Sequence, residues 1–97
     1  MLKFIFCIHN HQPVGNFDFV LEDAFVKAYM PFLELLEKHP ALKVSYHTTG
    51  FLLDWLAENH PEYIELLKRL VARGQVEIMG GGYYEPILSV IPEADRV

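Results

Sequence analysis

Two histidines one residue apart, His9 and His11, follow an apolar run and share their segment with Asn10, Gln12 and Pro13. An HxH pair at a strand end can hold a divalent metal, or hydrogen-bond a sugar hydroxyl or carboxylate. Two solvated loop histidines account for the same residues, and the spacing alone does not separate these readings. His47 closes a second alternating stretch, Val44-Ser45-Tyr46-His47, and Glu77 stands among Val76, Ile78 and Met79. A mid-strand carboxylate is costly to bury unless paired or hydrogen-bonded. Glu77 is therefore either a functional group or an edge-strand charge that opposes aggregation. Gly80-Gly81-Gly82 lacks the Lys-Ser/Thr of a P-loop and the GxGxxG spacing. It reads better as flexible backbone that a ligand or a neighbouring loop can approach closely. Tyr83, Tyr84 and Glu85 follow. The rings can stack on sugar faces and Glu85 can accept hydroxyl hydrogen bonds, or the tyrosines simply pack the loop. No Gly-x-Ser-x-Gly elbow occurs, and a single cysteine cannot build a Cys-based zinc motif.

These groups need strands to bring them together. Residues 2–8 form a continuous apolar run, as in a strand buried on both faces. The run is too short for a secretory leader, whose apolar core spans roughly 7–15 residues, and Cys7 fits it as a small buried hydrophobe. Residues 9–20 are a polar loop. From Leu21 to Lys38, Phe25, Tyr29, Phe32, Leu33 and Leu36 recur at helical spacing, interrupted by Pro31, where a kink or two abutting helices are expected. Residues 42–48 read as a second strand and 51–58 as a short helix whose Phe51 and Trp55 belong to the core. A helix then starts at Pro61 and buries Ile64, Leu67, Leu70 and Val71, with Glu65 and Arg69 paired on its wet face. Gly74 stands where a left-handed C-cap belongs. Residues 75–79 form a third strand. Near the end, Pro92 is placed to begin a helix.

Strands alternating with helices give an α/β fold with a parallel sheet. Side chains two apart share a strand face. Phe4, Phe6, Ile8, Val44, Tyr46, Val76 and Ile78 are then expected under the helices, with His9, His47 and Glu77 on the other face. Right-handed crossovers in strand order 1-2-3 put successive helices on one side, so the His/Glu face is left without cover. Such a face suits the polar lumen of a larger barrel. Ligands of α/β folds bind beyond the carboxyl ends of the strands, and His9, His11, His47, Thr49, Glu77 and Tyr83 all lie at or just past those ends. A whole (β/α)8 barrel needs roughly 250 residues, and this chain has 97. With 52% hydrophobic residues it is not disordered. A net charge of −5 without a Lys/Arg cluster makes nucleic acid and anionic membranes poor partners. One cysteine fits a reducing cytoplasm.

Two stretches carry a family resemblance. His11-Gln12-Pro13-Val14-Gly15-Asn16 resembles the first signature of glycoside hydrolase family 57, the α-amylase and 4-α-glucanotransferase family. Gly74-Gln75-Val76-Glu77-Ile78, running through Gly80-Gly81-Gly82-Tyr83-Tyr84-Glu85-Pro86-Ile87-Leu88, resembles its second. Ser45-Tyr46-His47-Thr48-Thr49-Gly50 and Leu52-Leu53-Asp54-Trp55-Leu56 also fit, so the resemblance covers essentially the whole chain in order. It implies the first three β/α units of an incomplete (β/α)7 barrel, with residues 1–97 as the N-terminal portion of a retaining enzyme acting on α-glucans. Retention requires two carboxyls roughly 5–5.5 Å apart. In the family these belong to later signatures, so no catalytic residue is carried over. His11 and Glu77 carry over as substrate-subsite support, with His9 beside them, and His47, Tyr83 and Glu85 complete the candidate binding set.

The expectation is therefore an α-glucan or maltooligosaccharide substrate in the full-length enzyme, no cofactor and no metal. The bare sheet face pairs with the missing C-terminal part of the barrel or self-associates. Two rivals remain. One is a metal-dependent deacetylase-like or mannosidase-like barrel with His9 and His11 as ligands, for which no third ligand is evident. The other is a non-catalytic assembly subunit that docks another chain.

Overall fold

The apolar run ahead of His9 pairs as a strand only at its end. A computed structural model, which describes residues 1–96, places strand β1 at Cys7–Asn10. Strand β2 follows at Val44–Thr48 and β3 at Val76–Ile78, all parallel, in the order β1-β2-β3. The register aligns Cys7 with Ser45 and Glu77, Ile8 with Tyr46 and Ile78, and His9 with His47.

Helix α1 spans Asp18–Ala24 and α2 spans Met30–Lys38, joined by a π-helical turn at Phe25–Tyr29. Pro31 has no N–H to give the carbonyl four residues back. The chain absorbs the misfit one step earlier, where Met30 N–H bonds the Phe25 carbonyl. The interruption expected at Pro31 is thus a wide turn inside one continuous helical segment. Helix α3 covers Gly50–Asn59 and α4 covers Pro61–Ala72. A short 3-10 turn at Glu93–Asp95 follows Pro92.

The connection from α4 to β3 is the C-cap that Gly74 signalled. Gly74 takes φ +74°. Its N–H bonds the Val71 carbonyl at 3.0 Å, and Gln75 N–H bonds Leu70 at 3.0 Å, a Schellman arrangement. Gln75 is buried and its amide donates to the carbonyls of Leu36 (2.7 Å) and His39 (2.9 Å). Arg73 bonds the Gln75 side-chain oxygen and the Leu36 carbonyl. Two polar side chains thus satisfy the orphan carbonyls at the end of α2.

The core lies between the helices and one sheet face. It joins Leu21, Phe25, Leu33, Leu36, Val44, Tyr46, Leu52, Trp55, Leu56, Tyr63, Leu70 and Val76, with Phe51 packed at its edge. The Tyr46 and Tyr63 hydroxyls share a 2.7 Å hydrogen bond inside it. Burial pushes both phenol pKa values up.

Several expectations are corrected. Phe4, Phe6 and Ile78, expected on the buried face, are exposed. Residues 1–6 precede β1 and are exposed, Ser45 N–H bonding the Phe6 carbonyl, and Ile78 borders an open groove. Cys7 is exposed, at the edge of an open groove that it shares with His9, His47, Pro86 and Leu88. On α4 the buried stripe is Tyr63, Leu66, Leu67 and Leu70, while Val71 is exposed. Glu65 pairs with Lys68 and Arg69 reaches Glu37 on α2, so the expected Glu65–Arg69 pair does not form. Among the described residues, no helix is long and apolar enough to cross a membrane.

Candidate functional site

Parallel strands end their carboxyl termini on one rim, and the site assembles there. His9 and His47 sit side by side in the β1–β2 register, on the face away from the helices. Their rings stack with centroids 5.0 Å apart and planes 8° apart, and the two Nδ1 atoms share a 2.8 Å hydrogen bond. His11 lies just beyond β1, its ring 6.2 Å from that of His9.

The loop carrying His11 is fixed from behind. Gln12 donates to the Tyr29 hydroxyl at 2.9 Å and accepts from Asn16 at 2.9 Å. Gly15, at φ +82°, makes the turn that lets Asn16 N–H bond the Pro13 carbonyl. The residues of the first signature thereby tie the loop to the helical layer.

After β3 the chain folds back over the strand ends. Tyr83 pins it to α3: its carbonyl accepts from Gly50 N–H at 3.1 Å and its hydroxyl donates to Asp54 at 2.6 Å. The ring lies so close to Gly50 that an added Cβ would clash with it. The hydrogen bond to Asp54, then burial, pushes the phenol pKa up to about 12. A Cβ on Gly81 would meet His47 Nε2 at 2.9 Å, so the glycine run permits close approach to the histidine pair.

This return delivers Glu85 to the histidines. Its Oε1 lies 3.0 Å from His9 Nε2 and 3.5 Å from His47 Nδ1, and its Oε2 lies 2.8 Å from His11 Nδ1. Glu85 is the one non-glycine residue with positive φ among the described residues, at +53°. A side chain held in that region marks a position that its surroundings over-determine. Near the same rim, Asn10 Nδ2, Thr48 Oγ1 and Thr49 Oγ1 are buried without a hydrogen-bond partner among the described residues.

The structure therefore gathers His9, His11, His47 and Glu85. Glu77 shares their face but stands level with Cys7 and Ser45, one strand repeat, about 6.6 Å, toward the amino ends. It is exposed, and its side chain forms no hydrogen bond or ion pair among the described residues. Tyr83 is a tether whose ring borders a groove of about 650 Å³ between the loop, α4 and the β3 edge. The contacts of Asp54 and Gly50 with Tyr83 were not legible in the sequence, since a contact between loop and helix leaves no periodic signal. Chemically, one carboxylate ringed by imidazoles can accept hydroxyl hydrogen bonds or ligate a cation. A retaining glycosidase needs a second carboxyl about 5–5.5 Å away.

The glycosyl hydrolase family 57 model matches residues 5–97. The chain is 58% identical over 96 residues to an alpha-amylase of Pyrococcus abyssi, covering 99% of this chain and 15% of that protein. It is 53% identical over 97 residues to a 4-alpha-glucanotransferase of Thermococcus kodakarensis, covering 100% of this chain and 15% of that one. The crystal structure of the 4-alpha-glucanotransferase from Thermococcus litoralis superposes with a TM-score of 0.91 at 53% identity, over 95% of this chain and 14% of that chain. The chain thus spans about 15% of the length of the curated relatives that it matches.

Proposed function

The chain belongs to glycosyl hydrolase family 57, and we propose that residues 1–97 form the N-terminal part of a catalytic barrel acting on α-glucans, of the α-amylase or 4-α-glucanotransferase type. In this reading His9, His11, His47 and Glu85 hold sugar hydroxyls at the rim. Glu77 and Tyr83 extend the binding surface, and the attacking and proton-donating carboxyls come from outside these residues. The observation that carries the reading is Glu85 within 3.5 Å of three imidazoles at the carboxyl ends of parallel strands. The barrel's further elements cover the open sheet face. A reducing compartment such as the cytoplasm suits the exposed thiol of Cys7.

The test is a pair of measurements on the purified protein of residues 1–97. A reducing-sugar assay with maltooligosaccharides should show no turnover. Calorimetric titration with the same oligosaccharides should show weak binding that Glu85→Gln lowers about tenfold, the worth of one charge-assisted hydrogen bond. Robust turnover abolished by Glu77→Gln would place the chemistry inside these residues and overturn the reading.

A further inference from the structure

The geometry points to a site for one divalent transition metal of the zinc class, held by His9 Nε2, His11 Nδ1 and the Glu85 carboxylate. It goes beyond the carbohydrate reading and uses three of the same side chains, so each idea can fail alone. The donor atoms lie within 4.8 Å of one another. A tetrahedral ion with bonds of 2.0–2.1 Å holds its ligand atoms roughly 3.3 Å apart. His9 Nε2 lies 3.0 Å from Glu85 Oε1 and His11 Nδ1 lies 2.8 Å from Glu85 Oε2, so the carboxylate bridges the two imidazoles with one oxygen against each, and a modest turn of the carboxylate brings one oxygen and both nitrogens around a single ion. Two imidazoles and one carboxylate suit zinc, cobalt or iron rather than the all-oxygen shells of calcium and magnesium. All three side chains reach the surface, which leaves the fourth position open to water or a substrate oxygen.

A second layer supports the ligands. A ligating histidine usually gives its other ring nitrogen to a partner that fixes its tautomer. His47 is that partner for His9. With Nε2 turned to the metal, the proton of neutral His9 sits on Nδ1 and donates to His47 Nδ1 across 2.8 Å. Glu85 is brought in by a turn, Glu85 N–H on the Gly82 carbonyl at 3.1 Å, with its backbone held at φ +53°. The third ligand stands 74 residues beyond His11 in the chain, which is why the HxH pair looked incomplete in the sequence.

The experiment is zinc titration of tag-free, chelator-stripped protein by calorimetry, with cobalt(II) as a spectroscopic substitute. One equivalent should bind, and cobalt should give the intense visible bands of a tetrahedral site. Glu85→Gln and His11→Asn should each weaken zinc binding at least tenfold. His47→Phe, which keeps the stacked ring and loses the nitrogen, should weaken it about tenfold. His39→Asn, an exposed histidine elsewhere, should leave it unchanged. Zinc should also shift the imidazole NMR signals of His9 and His11 in the unmutated protein and leave those of His39 and His60 in place, a readout independent of variant folding. Absent or substoichiometric zinc in protein with an intact circular dichroism spectrum overturns the metal site, as does an affinity that Glu85→Gln does not move. Loss of zinc with oligosaccharide binding retained sinks the metal alone. Zinc bound without oligosaccharide affinity sinks the subsite instead.

Discussion

At the rim, one acidic side chain and three histidines share a few ångströms, and each reached that place by a different route. His9 and His47 were legible as sharing a face, because side chains alternate along a strand, but the register that sets them side by side and leaves Glu77 one repeat away is seen only in the structure. Glu85 was legible as a candidate, but its place as the hub depends on how the loop returns over the sheet, and loop geometry has no period. Elsewhere, His60 makes a second polar junction that sequence reasoning passed over. Its Nε2 lies 2.8 Å from Glu22 on α1 and its Nδ1 lies 3.0 Å from Glu62 on α4, while its ring stacks on Phe25 at 3.6 Å. Burial of the ring opposes protonation, but the two carboxylates outweigh it and hold the pKa above the ordinary 6.5. A raised folded-state pKa means that protonated His60 stabilises the fold fully below 6.5, and that this contribution fades as pH rises through the folded value. The melting temperature should therefore fall on going from mildly acidic to mildly alkaline buffer. His60→Gln should flatten that slope, as read by circular dichroism melts across the range. An unchanged slope in the variant would assign the pH dependence to other groups.

The elements were more legible in kind than in extent. All three strands and the helical segments were legible in kind, yet β1 spans Cys7–Asn10 rather than residues 2–8, and α1 starts at Asp18, inside the stretch expected to be a polar loop. A run of apolar residues announces burial, and burial also depends on what the neighbouring elements reach. Pro31 announced a break, but only the hydrogen-bond ladder decides that the strain is taken up in a π-turn before it. The turn at Gly74 is legible in the sequence, because a left-handed C-cap has a local signature. The Gln75 and Arg73 plug against α2 has none. Replacing Gln75 with Leu should cost about 1–3 kcal/mol, since the Leu36 and His39 carbonyls each lose one of their donors and Arg73 loses the Gln75 side-chain oxygen. Chemical denaturation would measure it. The loop after β3 behaves as an element through a single anchor. Gly50→Ala drives a Cβ into the Tyr83 ring and should cost about 1–3 kcal/mol of overpacking. It should also free the segment from Gly80 to Leu88, seen as faster amide hydrogen exchange there and at His9. Exchange confined to the neighbourhood of Gly50 would show that the loop holds Glu85 in place without that anchor.

The whole molecule is a slab. It measures 43 × 42 × 20 Å with a radius of gyration of 15.0 Å. A compact domain of about 100 residues has a radius near 13 Å. The sequence foretold this shape through one rule: right-handed crossovers in the order β1-β2-β3 stack the helices on one side. It did not foretell which apolar groups would lie bare. Phe4, Ile5, Ile78, Ile87 and Val90 are all more than half exposed, apart from the polar rim. Among the described residues, β1 and β3 also present unpaired strand edges, the usual template for association. An exposed apolar surface of this kind calls for a cover. In the proposed barrel, further strands pair with the β1 and β3 edges and further elements close over the Cys7–Glu77 face. Residues 1–97 alone should then self-associate through those edges. Sedimentation velocity over a range of concentrations should show species larger than the 11.2 kDa monomer. Charged substitutions at Ile78 and Ile87 should shift the distribution toward monomer without altering the far-UV spectrum. A monodisperse monomer with a cooperative melt would mean that the slab is stable uncovered, and the incomplete-barrel reading would lose its physical basis.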